Sequence, residues 1–246
     1  MDCMFYVCGG SGSYADEISE ITGIKPQSGP PKGNGLALVL DESGLSLRSG
    51  SLSYKGDFGA LLKRTDKSRI GSEPLVKAMK TGGKNVPLTV ADATAGMGED
   101  SFLLASAGHR VLLFERDRII GALLYDALKR AEKQQETAGA VSRMKLFVGD
   151  STVLLPEMSE KIDAVLLDPM FPQRQKSGLI KKKFQLLQQL ESPCTDENVL
   201  LEAAISAGPS KIVINRPQNG PFLGGKKPSW SINGSVIRYD CIVLKS

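Results

Sequence analysis

The sequence predicts an α/β protein built on a mostly parallel sheet, and three observations carry that expectation. From about Leu88 onward, short β-rich runs alternate with helical-period segments, the pattern of βαβ units. The helical segments carry apolar residues at three- and four-residue steps, which gives each a face for a sheet. Several of the β-rich runs end on an acid, and the first ends on an acid followed by a glycine turn.

In chain order, strands are expected at Leu88–Val90, Arg110–Phe114, Lys145–Val148, Ile162–Leu167 and Lys211–Ile214. Helices are expected between them at Glu99–Ala107, Arg118–Gln135 and Glu197–Ala207, the last with Thr195 as its cap. In the second helix Ile120, Leu123, Leu124, Leu128 and Ala131 form one apolar stripe directed at the sheet. Ser235–Leu244 alternates as an edge strand of antiparallel character, and the Gly/Pro-rich stretch Arg216–Gly234 before it reads as a loop, with Trp230 an anchor or a substrate-side aromatic. Three segments therefore follow: a small N-terminal α/β lobe over residues 1–58, a basic connector with a short helix over 59–86, and the main domain over 87–246. Within the lobe, Met4–Val7, Leu36–Leu40 and Leu45–Arg48 read as strands, and Asp41-Glu-Ser-Gly44 as a hairpin turn.

Composition narrows the class. The 246 residues are 41% hydrophobic and 24% charged, an ordinary globular balance with no run long enough to span a bilayer. The start of the chain lacks a basic segment leading into an apolar stretch, so a cytoplasmic address is expected. Cys3, Cys8, Cys194 and Cys241 are scattered, and with His109 as the single histidine they supply no familiar zinc spacing, so no metal is expected. A net charge of +4 is compatible with a polyanionic partner.

Pro87–Asp92 reads as a strand entering Asp92-Ala-Thr-Ala-Gly96-Met-Gly98-Glu-Asp100 and then a helix. Strand, glycine turn and helix form the architecture in which nucleotide-like ligands sit outside the carboxyl ends of the strands. Gly96 and Gly98 are expected to let the backbone approach a ligand. A dinucleotide site would carry a third glycine and no acids, whereas Asp92, Glu99 and Asp100 would repel phosphate and suit a cofactor bearing an ammonium and a sulfonium. Glu115 closes the next strand, where a carboxylate meets ribose hydroxyls, and Asp150 closes the third, placed for an adenine amino group.

Ile162–Asp168 delivers Asp168-Pro169-Met170-Phe171-Pro172 at a strand end. Prolines remove donors and fix the backbone, leaving acceptors for the two hydrogens of an exocyclic amine. Asp168 and the Pro169 carbonyl would take those hydrogens while charge develops in methyl transfer, and Phe171 would stack on the base. Such a transfer needs proximity and orientation but no protein nucleophile, so Cys194 is read as structural. Arg174, Lys176, Lys181, Lys182 and Lys183 follow directly and would contact RNA phosphates or, failing that, form a solvated charged face. Lys63, Arg64, Lys67 and Arg69 make a second basic cluster and Lys226-Lys227 a third.

The blocks Asp92–Asp100, Glu115-Arg116, Asp168–Pro172 and Gln175-Lys176-Ser177 resemble the ribosomal RNA small subunit methyltransferase J family. That resemblance implies a Rossmann-like class I methyltransferase fold with a seven-stranded mostly parallel sheet. It implies S-adenosyl-L-methionine as cofactor, the 2-amino group of a guanine in small-subunit ribosomal RNA as acceptor, and ribosomal RNA or the small subunit as partner. It also implies cofactor contacts at Glu99, Asp100, Glu115, Arg116, Asp150, Ser151 and Asp168. Gln173 departs from it where the family carries histidine. Two rival readings stand beside it: the same cofactor with an adenine amino group or a protein glutamine as acceptor, and a non-catalytic RNA-binding assembly factor.

Overall fold

The computed structural model describes residues 3–9, 12–84, 86–169, 186–187, 189–190 and 196–244. Two sheets organise them. The larger has seven strands: β6 (Thr89–Asp92), β7 (Arg110–Glu115), β8 (Met144–Val148), β9 (Ala164–Leu167), β10 (Lys211–Pro217), β11 (Trp230–Asn233) and β12 (Ile237–Val243), in the order β11-β12-β10-β9-β6-β7-β8. The five strands from β10 to β8 run parallel, and β12 pairs antiparallel to both β10 and β11. The mostly parallel sheet expected from sequence is present.

This strand order contains a reversal. From β6 the chain winds outward through β7 and β8, then returns to β9 on the other side of β6 and winds the opposite way. Loops leaving β6 and β9 therefore diverge and open a crevice at the carboxyl edge, where open α/β sheets take their ligands.

The smaller sheet has the order β2-β1-β3-β4-β5, from β1 (Met4–Val7), β2 (Pro26–Ser28), β3 (Ala37–Asp41), β4 (Gly44–Ser49) and β5 (Leu52–Tyr54). The expected hairpin joins β3 and β4, with the Ser43 amide donating to Asp41 Oδ1 at 2.9 Å and Gly44 at φ +112°. Helix α1 (Gly12–Thr22) and the strands β2 and β5 were not anticipated, because each is short or weakly patterned.

The other helices are α2 (Pro74–Met79), α3 (Glu99–Ser106), α4 (Arg118–Ala131), α5 (Gln135–Val141), α6 (Ser151–Leu154) and α7 (Glu197–Ser206). Helix α4 corrects the single-stripe reading. Leu124, Ala127, Leu128 and Ala131 pack into the core on one face of the large sheet, while Ile119, Ile120, Ala122 and Leu123 pack against the small sheet. A helix buried on two sides needs apolar residues around most of its circumference, as α4 has. Tyr14 Oη donates to Asp126 Oδ1 at 3.0 Å and Arg130 Nε to Asp126 Oδ2 at 2.7 Å, so the polar remainder of α4 is also engaged.

The long helix expected to run to Gln135 breaks after Ala131. Thr137 Oγ1 donates to the Ala131 carbonyl at 2.7 Å, satisfying a helix-end acceptor and starting α5 in a new direction. The cap of α7 is Asp196, not Thr195: its Oδ1 accepts from the Asn198 and Val199 amides, both at 3.1 Å. Ile237–Val243 is antiparallel as expected but is not the edge strand. Trp230–Asn233, read as loop, pairs outside it. Trp230 is half exposed there, with Lys211 Nζ 5.7 Å from its ring centroid. Among the described residues no helix is long and apolar enough to cross a membrane.

Candidate active site

The loop leaving β6 is built around a buried acid. Asp92 is 2% exposed, its Oδ2 accepts from Ser101 Oγ at 2.6 Å, and its Oδ1 accepts from the Thr94 amide at 3.2 Å. Burial pushes its carboxyl up to about 7, with the two hydrogen bonds pulling the other way. Asp92 thus shapes the turn from beneath and is not among the cleft-lining residues.

The two glycines of the turn serve different ends. Gly96 sits at φ +52° with no heavy atom near a built Cβ, and it lines the cleft. Its amide donates to Glu115 Oε2 at 2.8 Å. Gly98, at φ +72°, caps α3, and a Cβ there would lie 2.9 Å from Leu124 Cδ1 and 3.5 Å from the Phe58 ring. Close helix packing therefore explains Gly98, which corrects the expectation that both glycines face a ligand.

Glu115, at the end of β7, accepts a second amide, that of Asp117, on Oε1 at 2.7 Å. Each oxygen keeps a lone pair beyond its amide. Burial raises this carboxyl to about 7 against the pull of both amides. Asp150 follows β8 and caps α6 with Oδ1, which accepts from the Thr152 amide at 2.9 Å and from Thr152 Oγ1 at 2.7 Å. Asp117 caps α4 in the same way through Ile119 and Ile120. Glu115, Arg116, Asp117, Asp150, Ser151 and Asp168 all line one cleft of about 610 Å³, with Phe114, Ile120, Leu190, Val199 and Leu200 as its apolar walls.

Asp168 follows β9 and stands between this cleft and a second polar group. Its backbone amide donates to Thr94 Oγ1 at 2.6 Å, and the Asn215 side chain beside its carboxyl draws the pKa down. Burial, then the charge of Asp92, raises it to about 6. Beyond it lies Asp100 in the first turn of α3, raised to about 7 by burial and then by Asp168 itself. Arg64 faces Asp100 from the connector while holding Glu73 at 2.9 Å, and Tyr239 of β12 lies close enough to feel both Asp100 and Asp168.

The structure thus gathers Gly96, Glu115, Arg116, Asp150, Ser151, Asp168 and Pro169 around one cleft, and sets Asp92, Gly98, Glu99 and Asp100 outside its lining. Phe171, Arg174, Lys176, Lys181, Lys182, Lys183 and Cys194 lie outside the described residues. Sequence reasoning missed Thr94, Asp117, Asn215 and Tyr239. Asp117 carried a signal, an acid directly before an apolar helix start. Thr94, Asn215 and Tyr239 carried none, since strand register alone brings them to Asp168.

Two of the cleft-lining acids, Glu115 and Asp168, are buried with raised pKa, which describes a cleft short of positive charge. The fit to S-adenosylmethionine rests on that: a ligand with a sulfonium and an ammonium favours the ionised form of both. Glu115 offers two oxygens at one strand end and Asp150 an Oδ2 uncommitted among the described residues at the next, and the volume suits a nucleoside-sized ligand.

Residues 30–244 match the family described as "putative SAM-dependent methyltransferase". The chain is 38% identical over 226 residues to a ribosomal RNA small subunit methyltransferase J of Thioalkalivibrio sulfidiphilus, covering 89% of this chain and 88% of that one. It is 37% identical over 248 residues to the protein of that name in Pseudoalteromonas translucida, covering 98% and 96%. Among solved structures it is similar to a SAM-dependent methyltransferase of Neisseria gonorrhoeae, at 28% identity and TM-score 0.78, covering 98% of this chain and 96% of that one.

Proposed function

Because the chain belongs to the ribosomal RNA small subunit methyltransferase J family of SAM-dependent methyltransferases, we propose that it methylates the 2-amino group of a guanine in small-subunit ribosomal RNA. The observation that carries the reading is the station of Asp168. One side of it faces a cleft suited to a cationic nucleoside, and its other side faces Asp100, Tyr239 and the basic connector.

When bound, S-adenosylmethionine supplies an electrophilic methyl group on a positively charged sulfur. Glu115 accepts the ribose hydroxyls, Asp150 Oδ2 accepts the adenine amine, and the Phe114, Ile120, Val199 and Leu200 walls cover the apolar faces. The Asp168 carboxylate and the Pro169 carbonyl accept the two hydrogens of the guanine amine, which favours a pyramidal nitrogen with its lone pair freed from the ring. With the methyl group supplied to that lone pair, Asp168 would be the group placed to take the proton the amine nitrogen has to lose. An Asp168 carboxyl near 6 is matched to receive that proton close to neutral pH. Phe171 stacks on the base, and Arg174, Lys176, Lys181 and Lys182 hold flanking phosphates. RNA as substrate also favours a cytoplasmic address.

The connector supports RNA as the acceptor. Lys63, Arg64, Lys67 and Arg69 are all exposed on the connector, and the charge of Arg64 acts on Asp100. Mass spectrometry of small-subunit ribosomal RNA from a strain lacking the gene tests the reading. One 2-methylguanine is expected to vanish, to return with the wild-type gene, and to stay absent with Asp168→Ala. An unchanged guanine profile would overturn it in favour of another planar amine.

A further inference from the structure

Strands β9 and β10 run parallel with Leu167 beside Ile214, so the next residue of each, Asp168 and Asn215, stand together at the carboxyl edge. Side chains at matched positions share a face of the sheet. The Leu167–Ile214 pair packs into one core, and Tyr239, the cross-strand partner of Asn215, packs into the other. Asn215 and Asp168 therefore project to the side covered by α3 and the connector. There the Asn215 carboxamide stands beside the Asp168 carboxyl, near enough to draw its pKa down.

Asp168 is thus gripped from two strands. Thr94, after β6, fixes its backbone amide at 2.6 Å, and Asn215 of β10 stands beside its side chain. We propose that Asn215 is a positioning residue, whose carboxamide holds the Asp168 carboxylate oriented and ionised toward the acceptor amine. This rests on the methyl-transfer reading above.

The surroundings make such a donor necessary. Asp92 faces Asp168 from β6, Asp100 from α3 and the Tyr239 hydroxyl from β12, while the Arg64–Glu73 pair sits beyond Asp100 on the connector. Two neighbouring carboxyls and burial all favour the protonated acid, which would give up one acceptor lone pair to a proton. The Asn215 carboxamide works against them.

The test uses Asn215→Leu, which keeps the shape and removes the donor without adding a charge, and Asn215→Ala as a second variant should the first fail to fold. Two readouts are taken: methyl transfer to small-subunit ribosomal RNA, and the affinity for S-adenosylmethionine across pH with no RNA present. Loss of one charge-assisted hydrogen bond predicts kcat lower by about tenfold or more at neutral pH. It also predicts that the pH below which cofactor affinity falls moves upward by about one unit. A merely structural role would shift the melting temperature and leave that pH unmoved. Wild-type kcat and an unmoved pH limb in either folded variant overturn the proposal. If the wild-type protein methylates no ribosomal RNA, the acceptor reading fails instead, and the limb measured without RNA still decides whether Asn215 holds Asp168.

Discussion

Thr94 Oγ1 accepts the backbone N–H of Asp168 at 2.6 Å, so the loop leaving β6 and the loop leaving β9 are joined through a hydroxyl. The bond fixes where the Asp168–Pro169 peptide stands relative to Gly96, and hence the distance over which a methyl group would move. Thr94→Val keeps the shape and leaves the Asp168 amide without its acceptor, at a cost of about 1–3 kcal/mol. Its kcat should fall well beyond its loss of cofactor affinity, and Thr94→Ser should restore most of it. Single-turnover methyl transfer beside calorimetric cofactor binding measures both; a valine variant with wild-type turnover would refute the link.

Asp92, Asp100 and Glu115 are raised to about 7 and Asp168 to about 6, each chiefly by burial. Between the ordinary carboxylate range and these values the folded protein binds more protons than the unfolded chain, so its stability falls as pH rises through 6 to 7. Asp41, Asp66 and Glu160 are lowered instead, and their contributions fade only in more acid solution. The cofactor-free protein should therefore melt higher at about pH 5.5 than at about pH 8. The rise in melting temperature on adding S-adenosylmethionine should be larger at the higher pH, where the acids are charged and unopposed. A melting temperature for the free protein that climbs from pH 5.5 to 8 would contradict the assignment.

Glu115 holds the Gly96 and Asp117 amides on separate oxygens, at 2.8 and 2.7 Å. Glutamine at this position offers one acceptor and one amine, so one backbone N–H must face another donor. Glu115→Gln should weaken S-adenosylmethionine binding by about 10- to 100-fold, the loss expected for one charge-assisted hydrogen bond and a newly unsatisfied amide. Calorimetry on the free protein decides it, and an affinity within twofold of wild type would remove Glu115 from the cofactor site.

The parallel strands were legible because each is a short apolar run, and the acids closing β7 and β8 were legible because they interrupt that pattern. Asp168 was readable for the same reason. Its partners were not. Thr94 sits among small residues, Asn215 inside a strand and Tyr239 beside Arg238, and nothing local distinguishes any of them until β6, β9, β10 and β12 are laid in order. Helix α4 misled differently: its apolar positions served two cores, and periodicity reports only that a face is buried, not against what. Trp230–Asn233 escaped because its apolar–polar alternation lasts only four residues and lies inside a Gly/Pro-rich stretch that reads as loop.

Lys63, Lys67 and Arg69 are exposed on a turn that Asp66 braces through Ser68, and Phe58, just before the connector, packs beneath Gly98. Replacing all three by glutamine should weaken RNA binding most at low salt and flatten the dependence of log affinity on log salt by about 2 to 3 if each meets a phosphate. Affinity for S-adenosylmethionine should not change. A salt slope equal to that of wild type would return the cluster to a solvated face.

Gly96 and Gly98 make opposite predictions from positions two residues apart. Alanine at either must adopt a left-handed backbone, which costs about 1–2 kcal/mol. At Gly98 the new methyl group also meets Leu124 Cδ1 at 2.9 Å and Leu113 Cδ2 at 3.3 Å, and both belong to the core between α3, α4 and the sheet. Overpacking of that kind adds about 1–3 kcal/mol. Gly98→Ala should therefore be the less stable variant in chemical denaturation, while keeping measurable cofactor affinity wherever it remains folded. At Gly96 no atom obstructs the methyl group, which instead projects into the space beside Glu115 that the cofactor must enter. Gly96→Ala should keep most of its stability and lose S-adenosylmethionine affinity disproportionately. If denaturation and calorimetry ranked the two variants the other way round, Gly98 and not Gly96 would be the glycine that faces the ligand.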